Sequence, residues 1–253
     1  MIRRRPLLEL LFPPACASCR TLLDRSDILS GRALCPSCQR EWESEKLETC
    51  PSCAKPVTAC RCITEDMEKC KCEALCKLVY YIHGKREPLQ NRLIYSIKQE
   101  RRRRTVEFLA AELAESAREL LSEQGIATQD AVLTYIPRAT AARLQYGTDQ
   151  ARELARALSR ELSIPMLPLL ERRPGMGRPQ KHLNSEERLK NAKKTYRVRD
   201  FDGCRRKTVL LVDDIVTSGA TVAICARLLR RAGASHVFAL AVAADELQSE
   251  RGR

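Results

Sequence analysis

Aromatic side chains make up only 4% of the 253 residues. That is too few for the stacking platforms that grip single strands by their bases. No run of 18 apolar residues occurs, so no segment is expected to span a membrane. No G-x-x-x-x-G-K-[ST] is present, which removes a Walker-type nucleotide loop. Histidine is equally scarce. His83, His182 and His236 stand isolated in the sequence, His236 reads as the structural start of a strand, and no general base is evident among the three. The N-terminus carries a basic cluster and a short apolar run, but Glu9 interrupts the run and Pro13 and Pro14 close it before any small-residue cleavage site. It is read as a short helix leading into the next segment, and the protein is expected to be cytoplasmic.

What is abundant is unevenly placed. Hydrophobic residues reach 44%, which excludes a disordered or collagen-like chain. Of 13 cysteines, 11 fall in residues 1–76, leaving Cys204 and Cys225 alone. The formal charge is +13, yet residues 1–76 carry only +1 and residues 77–253 carry +12. A surplus of that size attracts polyanions such as nucleic acid, phosphorylated ligands or an anionic surface. The expected division is a cysteine-rich module over 1–76 and a second domain over 77–253.

Crowded cysteines in a reducing compartment point to metal rather than disulfides. Cys16-Ala-Ser-Cys19 and Cys35-Pro-Ser-Cys38 are C-x2-C pairs separated by 15 residues, within zinc-ribbon spacing. Two residues between thiolates let a turn aim both sulfurs at one ion, and two such knuckles complete a closed, structural tetrahedron. Cys50-Pro-Ser-Cys53 repeats the knuckle, and Cys60 with Cys62 supplies a second pair. Cys70, Cys72 and Cys76 either replace that pair or serve as small buried apolar side chains, the reading preferred here. An iron–sulfur cluster is the minor alternative to zinc. The module has a single Trp, Trp42, so metal is expected to supply much of its folding free energy.

Beyond residue 77 strands and helices alternate. Strands are expected at 78–83, 131–136, 166–170, 208–213 and 236–242. Helical periodicity runs over 87–125, 149–162 and 219–231, with a short capped helix at 185–191. This order indicates a parallel sheet covered on both faces. Arg101, Arg102, Arg103 and Arg104 form either a solvated helix start or a phosphate-binding patch. Residues 171–184 read as a basic loop with two Gly and two Pro, holding Arg172, Arg173, Arg178, Lys181 and His182.

The most informative segment starts at Thr208 and ends at Thr221. A buried strand delivers Asp213 and Asp214 to the sheet's C-terminal edge, where open α/β sheets bind ligands. A tight loop then leads into a helix near Gly219, whose backbone N–H groups can hold a phosphate. Thr217, Ser218 and Thr221 add hydroxyls, and Ala220 sits at the helix start. The acids are placed to accept from ribose hydroxyls and to hold Mg²⁺. A receiver domain also has an acidic pair after a strand, but early in its chain, whereas only 39 residues follow Asp214.

This segment resembles the phosphoribosyl pyrophosphate (PRPP) signature of the phosphoribosyltransferases. The whole chain resembles the ComF family, which joins an N-terminal zinc module to such a domain. The likeness runs through Leu10 to Cys16, Tyr81 to Gly84, Leu93-Ile94, Ile97-Lys98, Arg143 with Tyr146 to Gln150, and Gln180, Leu183, Arg188 and Asn191. Tyr146, Thr148 and Asp149 depart from the family's commoner Arg, Phe and Asn. The resemblance implies an α/β fold: a phosphoribosyltransferase-like parallel sheet with helices on both faces, preceded by a small Cys-rich zinc-ribbon module. It implies PRPP as ligand with Mg²⁺, held by Asp213, Asp214 and the residues from Thr217 to Thr221. Arg138 and Thr140, in the loop after the first core strand, would face pyrophosphate, and the 171–184 loop would close over it. Asp213 and Asp214 would be the catalytic acids. One or two structural zinc ions are implied. So are a role in DNA uptake and natural transformation, single-stranded DNA as partner of the arginine run, and a helicase of the uptake machinery. The competing expectation is an active phosphoribosyltransferase of nucleotide metabolism; a purine-salvage enzyme with an accessory module is a weaker third.

Overall fold

A computed structural model describes residues 14–85, 87–99, 103–138, 149–173 and 194–246. The expected N-terminal helix, Arg101, Arg102, Thr140, Arg143, Tyr146, the 185–191 helix and most of the 171–184 loop lie outside the described residues.

Among the described residues, the cysteine-rich segment forms α1 (Arg25–Leu29), α2 (Pro36–Lys46) and α3 (Glu65–Lys69). Asp24 caps α1 and Thr64 caps α3, each side chain accepting a backbone N–H of the first turn. Pro36 opens α2, where its missing N–H has no helical partner to lose. There follow β1 (Ala74–Tyr80), α4 (Leu89–Gln99), α5 (Arg103–Glu123), β2 (Ala131–Tyr135), α6 (Gln150–Leu162), β3 (Leu170–Arg172), β4 (Tyr196–Val198), β5 (Thr208–Val216), α7 (Ala220–Arg231) and β6 (His236–Ala244).

Four strands form one parallel sheet in the order β1-β6-β5-β2. Side chains alternate across it. Leu210, Val212 and Leu240 pack with α4, α5 and α6 on one face. Val209, Leu211 and Ala239 pack with α3 and α7 on the other. The expected parallel sheet with helices on both faces is what the chain forms.

Several expectations differ in detail. The strand expected from residue 78 begins at Ala74 and is buried throughout, so Cys76 and Lys77 belong to the sheet. The helical stretch over 87–125 is two helices. The strand expected at 166–170 is a single parallel bridge at Met166, and the pairing comes later, where β3 meets β4 antiparallel. Arg172 is therefore a strand residue, its guanidinium 5.8 Å from the centre of the Tyr196 ring, rather than part of a loop.

The cysteine segment shares its core with the sheet. Cys16, Leu23, Leu34 and Trp42 belong to the same buried cluster as Leu109, Leu113 and Leu158. The Trp42 indole N–H donates to Glu112 on α5 at 3.0 Å, and Lys46 pairs with the same carboxylate at 2.6 Å. The expectation that this segment depends on metal for want of a core is modified accordingly, because part of its apolar surface is buried against α5.

Candidate functional site

β5 runs to Val216, but its partner β2 stops opposite Val212. Past that point, among the described residues, β5 is paired only with β6. Asp213 and Asp214 occupy the first two positions where the β2 side is open. The Asp213 carboxyl lies close enough to that of Asp214 to feel its charge and to share a hydrogen bond with it. Asp214 is buried and meets Arg138 at 2.6 Å. The Arg138 backbone N–H donates to Asp149, the N-cap of α6, at 3.1 Å. Burial, and next the charge of Asp214, push the Asp213 carboxyl well above the usual carboxylate range.

The loop then turns at Gly219, whose φ of 72° is left-handed and which caps α7. A small cleft of about 70 Å³ is lined by Asp213 and residues 215–222. Thr217, Ser218, Gly219, Ala220 and Thr221 all border it. Gly219 has a second reason to lack a side chain. A Cβ there would stand 2.8 Å from both the Met67 Sδ and the Thr64 Oγ1 of α3. The cysteine-rich segment thus abuts the back of the loop.

The structure gathers the eight expected metal ligands into two groups, Cys16, Cys19, Cys35 and Cys38, and Cys50, Cys53, Cys60 and Cys62. Within each group the sulfurs all lie within 4.8 Å of one another. Cys19 and Cys35 are 3.7 Å apart, and four sulfurs at ~2.3 Å from a tetrahedral zinc stand ~3.8 Å apart. Donor set and spacing both fit zinc. The knuckles share a turn: Arg20 and Ala54, each just past the second cysteine, have φ of 71° and 58°. Burial opposes ionisation of Cys19 and Cys50, yet neighbouring polar groups, chiefly Thr21 for the first and the Tyr80 hydroxyl for the second, hold each down to about 6. Lys77, fully buried on β1, donates to the Cys60 sulfur at 3.1 Å. A four-thiolate zinc held there would carry roughly two negative charges, and this ammonium would offset part of them. Cys70, Cys72 and Cys76 lie apart in the core, the last two donating to the carbonyls of Ala74 and Ser116 at 3.6 Å.

Of the arginine run, Arg103 is exposed and pairs with Glu107 at 2.7 Å, while Arg104 is half-buried at the start of α5. His83 and His236, isolated in the sequence, have partners in the fold, while His182 lies outside the described residues. His83 Nε2 meets Asp245 at 2.7 Å, 162 residues away, and His236 meets Glu73 at 2.8 Å. No sequence signal joins residues so far apart; sheet pairing of β1 with β6 does.

Residues 148–252 match the phosphoribosyl transferase domain family, so this part of the chain is a phosphoribosyltransferase-type domain. Comparison with curated proteins gives no match. Among solved structures, the chain is similar to the glutamine PRPP amidotransferase of B. subtilis at 20% identity and TM-score 0.36, over 54% of this chain and 25% of that one. It thus spans a quarter of that enzyme's length. A purine phosphoribosyltransferase of Pyrococcus horikoshii gives 15% identity and TM-score 0.30 over 54% and 74% of the two chains. A protein of Thermus thermophilus gives 18% and 0.31 over 58% and 86%. Overlaps this loose do not bear on function. No helix among the described residues is long and apolar enough to cross a membrane.

Proposed function

We propose that this is a ComF-like protein that binds PRPP. Asp213 and Asp214 accept from the ribose hydroxyls, and the loop from Thr217 to Thr221 holds the 5-phosphate. Arg138 meets the pyrophosphate. The observation that carries this reading is the acid pair set in the open end of the sheet, facing Arg138 and directly ahead of a Gly-capped helix. Arg138 and Asp214 neutralise one another at 2.6 Å. PRPP offers the guanidinium a phosphate and the carboxylate two hydroxyls, so ligand contacts replace one ion pair with several charge-assisted bonds. Two carboxylates are the hard oxygen donors Mg²⁺ prefers, so the donor set fits that ion, with Asp213 and Asp214 as its holders. When bound, Mg²⁺ would screen the pyrophosphate and make it a better leaving group.

The finer reading is a cytoplasmic factor that handles single-stranded DNA during uptake, beside a helicase. It rests on the ComF resemblance and on the +12 charge of residues 77–253. Phosphoribosyl transfer to an acceptor is the competing reading, and the His83–Asp245 pair favours it.

Calorimetry with PRPP and Mg²⁺ tests the shared core of both. Wild type should bind. Replacing Asp213 and Asp214 by Asn keeps their shape and removes their charge, and should weaken binding by at least about 2 kcal/mol, the scale of lost charge-assisted bonds. Equal affinity would reduce the acid pair to a structural turn.

A further inference from the structure

Five described side chains at the C-terminal edge of the sheet have no part in the site so far: Tyr81, His83, Asn91, Tyr95 and Asp245. They come from three elements and form one cluster. His83 follows β1 and is exposed, and its Nε2 meets Asp245, which follows β6. A carboxylate only accepts, so Nε2 carries a proton, and in the neutral ring Nδ1 is the acceptor. The Asp245 backbone N–H donates to the Val216 carbonyl at 2.9 Å, which seats the pair beside the residue that opens the phosphate loop. Asn91, fully buried on α4, pins the segment that bears His83. Its Nδ2 donates to the carbonyls of Ile82 and Lys85, and its Oδ1 accepts the Ile82 N–H. A side chain held on both sides in this way is set in advance of any ligand.

Aromatic rings gather here in a chain that has few. Tyr81 lies edge-on to His83, centroids 5.0 Å apart, and its hydroxyl is 3.4 Å from that of Tyr95. Burial pushes the Tyr81 phenol to about 12, with the Tyr95 hydroxyl and the charges of Asp245 and Asp214 adding to it, so it stays neutral. The influence of both carboxylates on one phenol ties this cluster to the acid pair.

The sheet order then supplies direction. Arg138 follows β2, on one flank of β5, and His83 follows β1, on the other. Displacement at a ribosyl carbon needs the leaving group and the attacking atom on opposite sides. β6 lies between β1 and β5 and pairs with both to their ends, so an acceptor on the His83 side would sit across the strand ends rather than between them.

We propose that His83, held by Asp245, is the general base for an acceptor that attacks the anomeric carbon of PRPP, and that Tyr81 and Tyr95 form a floor for a planar ring acceptor. This rests on the PRPP reading above. The acceptor's nitrogen, or the oxygen of water, forms a bond to the anomeric carbon. The bond from that carbon to the pyrophosphate oxygen breaks, and its electron pair leaves with pyrophosphate. The acceptor's proton passes to His83 Nδ1 and then to solvent.

The test uses the full chain with PRPP and Mg²⁺. Pyrophosphate release is followed in water alone and with adenine, hypoxanthine or uracil as flat N–H probes, while calorimetry follows PRPP affinity. Wild type should release pyrophosphate above the uncatalysed rate, faster with at least one ring. His83→Ala should keep PRPP affinity within about twofold and lose on the order of 10²-fold in rate. Added imidazole should restore part of that loss, because the site is exposed. Asp245→Asn should also lose rate at unchanged affinity, and His236→Gln, at the far end of β6, should match wild type. Tight PRPP binding with no release by wild type would overturn the base while leaving the binding reading intact. So would full activity in His83→Ala. Release that no ring accelerates would overturn the aromatic floor. Absence of PRPP binding by wild type would overturn both readings together.

Discussion

Asp213 sits in a position that penalises its own charge. Burial, then the neighbouring Asp214, raise its carboxyl well above the ordinary range in the folded chain. An acid with a raised folded value contributes its full stability below the unfolded value near 3.9 and loses it as pH rises through the folded value. In Mg²⁺-free buffer, Asp213→Asn is therefore expected to melt above wild type at pH 7 and together with it at pH 4. Thermal melts at both pH values decide the point, and a variant less stable than wild type at pH 7 would contradict it. Such stabilisation by removing a functional group is the pattern of a site kept for binding rather than for folding. Arg138, paired with Asp214 at 2.6 Å, also draws the Asp213 carboxyl down and so limits the penalty.

Among the elements, the short β2 is what opens the site, since four residues of β5 run past its end and present the acids. The knuckle turns show the same economy of backbone. Ala54 holds φ of 58° with an exposed side chain, and its N–H donates to the Cys50 carbonyl at 2.8 Å. A left-handed non-glycine residue costs ~1–2 kcal/mol, and glycine gives back ~0.5–1 in chain entropy. Ala54→Gly should then raise stability slightly, by less than about 1 kcal/mol, in urea titrations of the zinc-loaded protein. A clear loss would mean the turn is not strained. Much of this architecture was legible in the residues. β5, β6, α6 and α7 announce themselves by apolar runs, helical spacing and Gly stops, and the C-x2-C spacing fixed the first sulfur group. The start of β1 was hidden because Lys77 interrupts the apolar run and Cys76 closes a cysteine-rich stretch, whereas both are buried in the strand. β4 is three residues with an exposed arginine at its centre, too short for any period to show. The His83–Asp245 pair exists only through sheet pairing, which local pattern does not encode.

At the scale of the whole molecule the positive charge belongs to residues 77–253. Single-stranded DNA should bind with little sequence preference, since aromatics are few, and with a log–log salt slope of about −0.7 per phosphate neutralised. Changing Arg101, Arg102, Arg103 and Arg104 to Gln should weaken binding to every sequence and flatten the slope. Filter binding across a salt series reads both, and binding that ignores salt would assign the charge to PRPP capture instead. The two halves also meet where Thr64 and Met67 press on Gly219. Thr64 lies two residues beyond Cys62, so the ion-holding turn and the phosphate loop share a wall. Coupling between two ligands that share a wall is reciprocal: whatever one lends the other, it receives back in equal measure. Zinc should therefore be harder to strip from the protein when PRPP fills its loop. A chelator competition monitored by released zinc, with and without saturating PRPP, should show slower loss of the second ion in the liganded protein. Identical release curves would mean the wall transmits nothing. If it does transmit, the sulfur cluster acts as a sentinel: a cell short of zinc, or rich in oxidants, would loosen this protein's hold on activated ribose before the fold itself gave way.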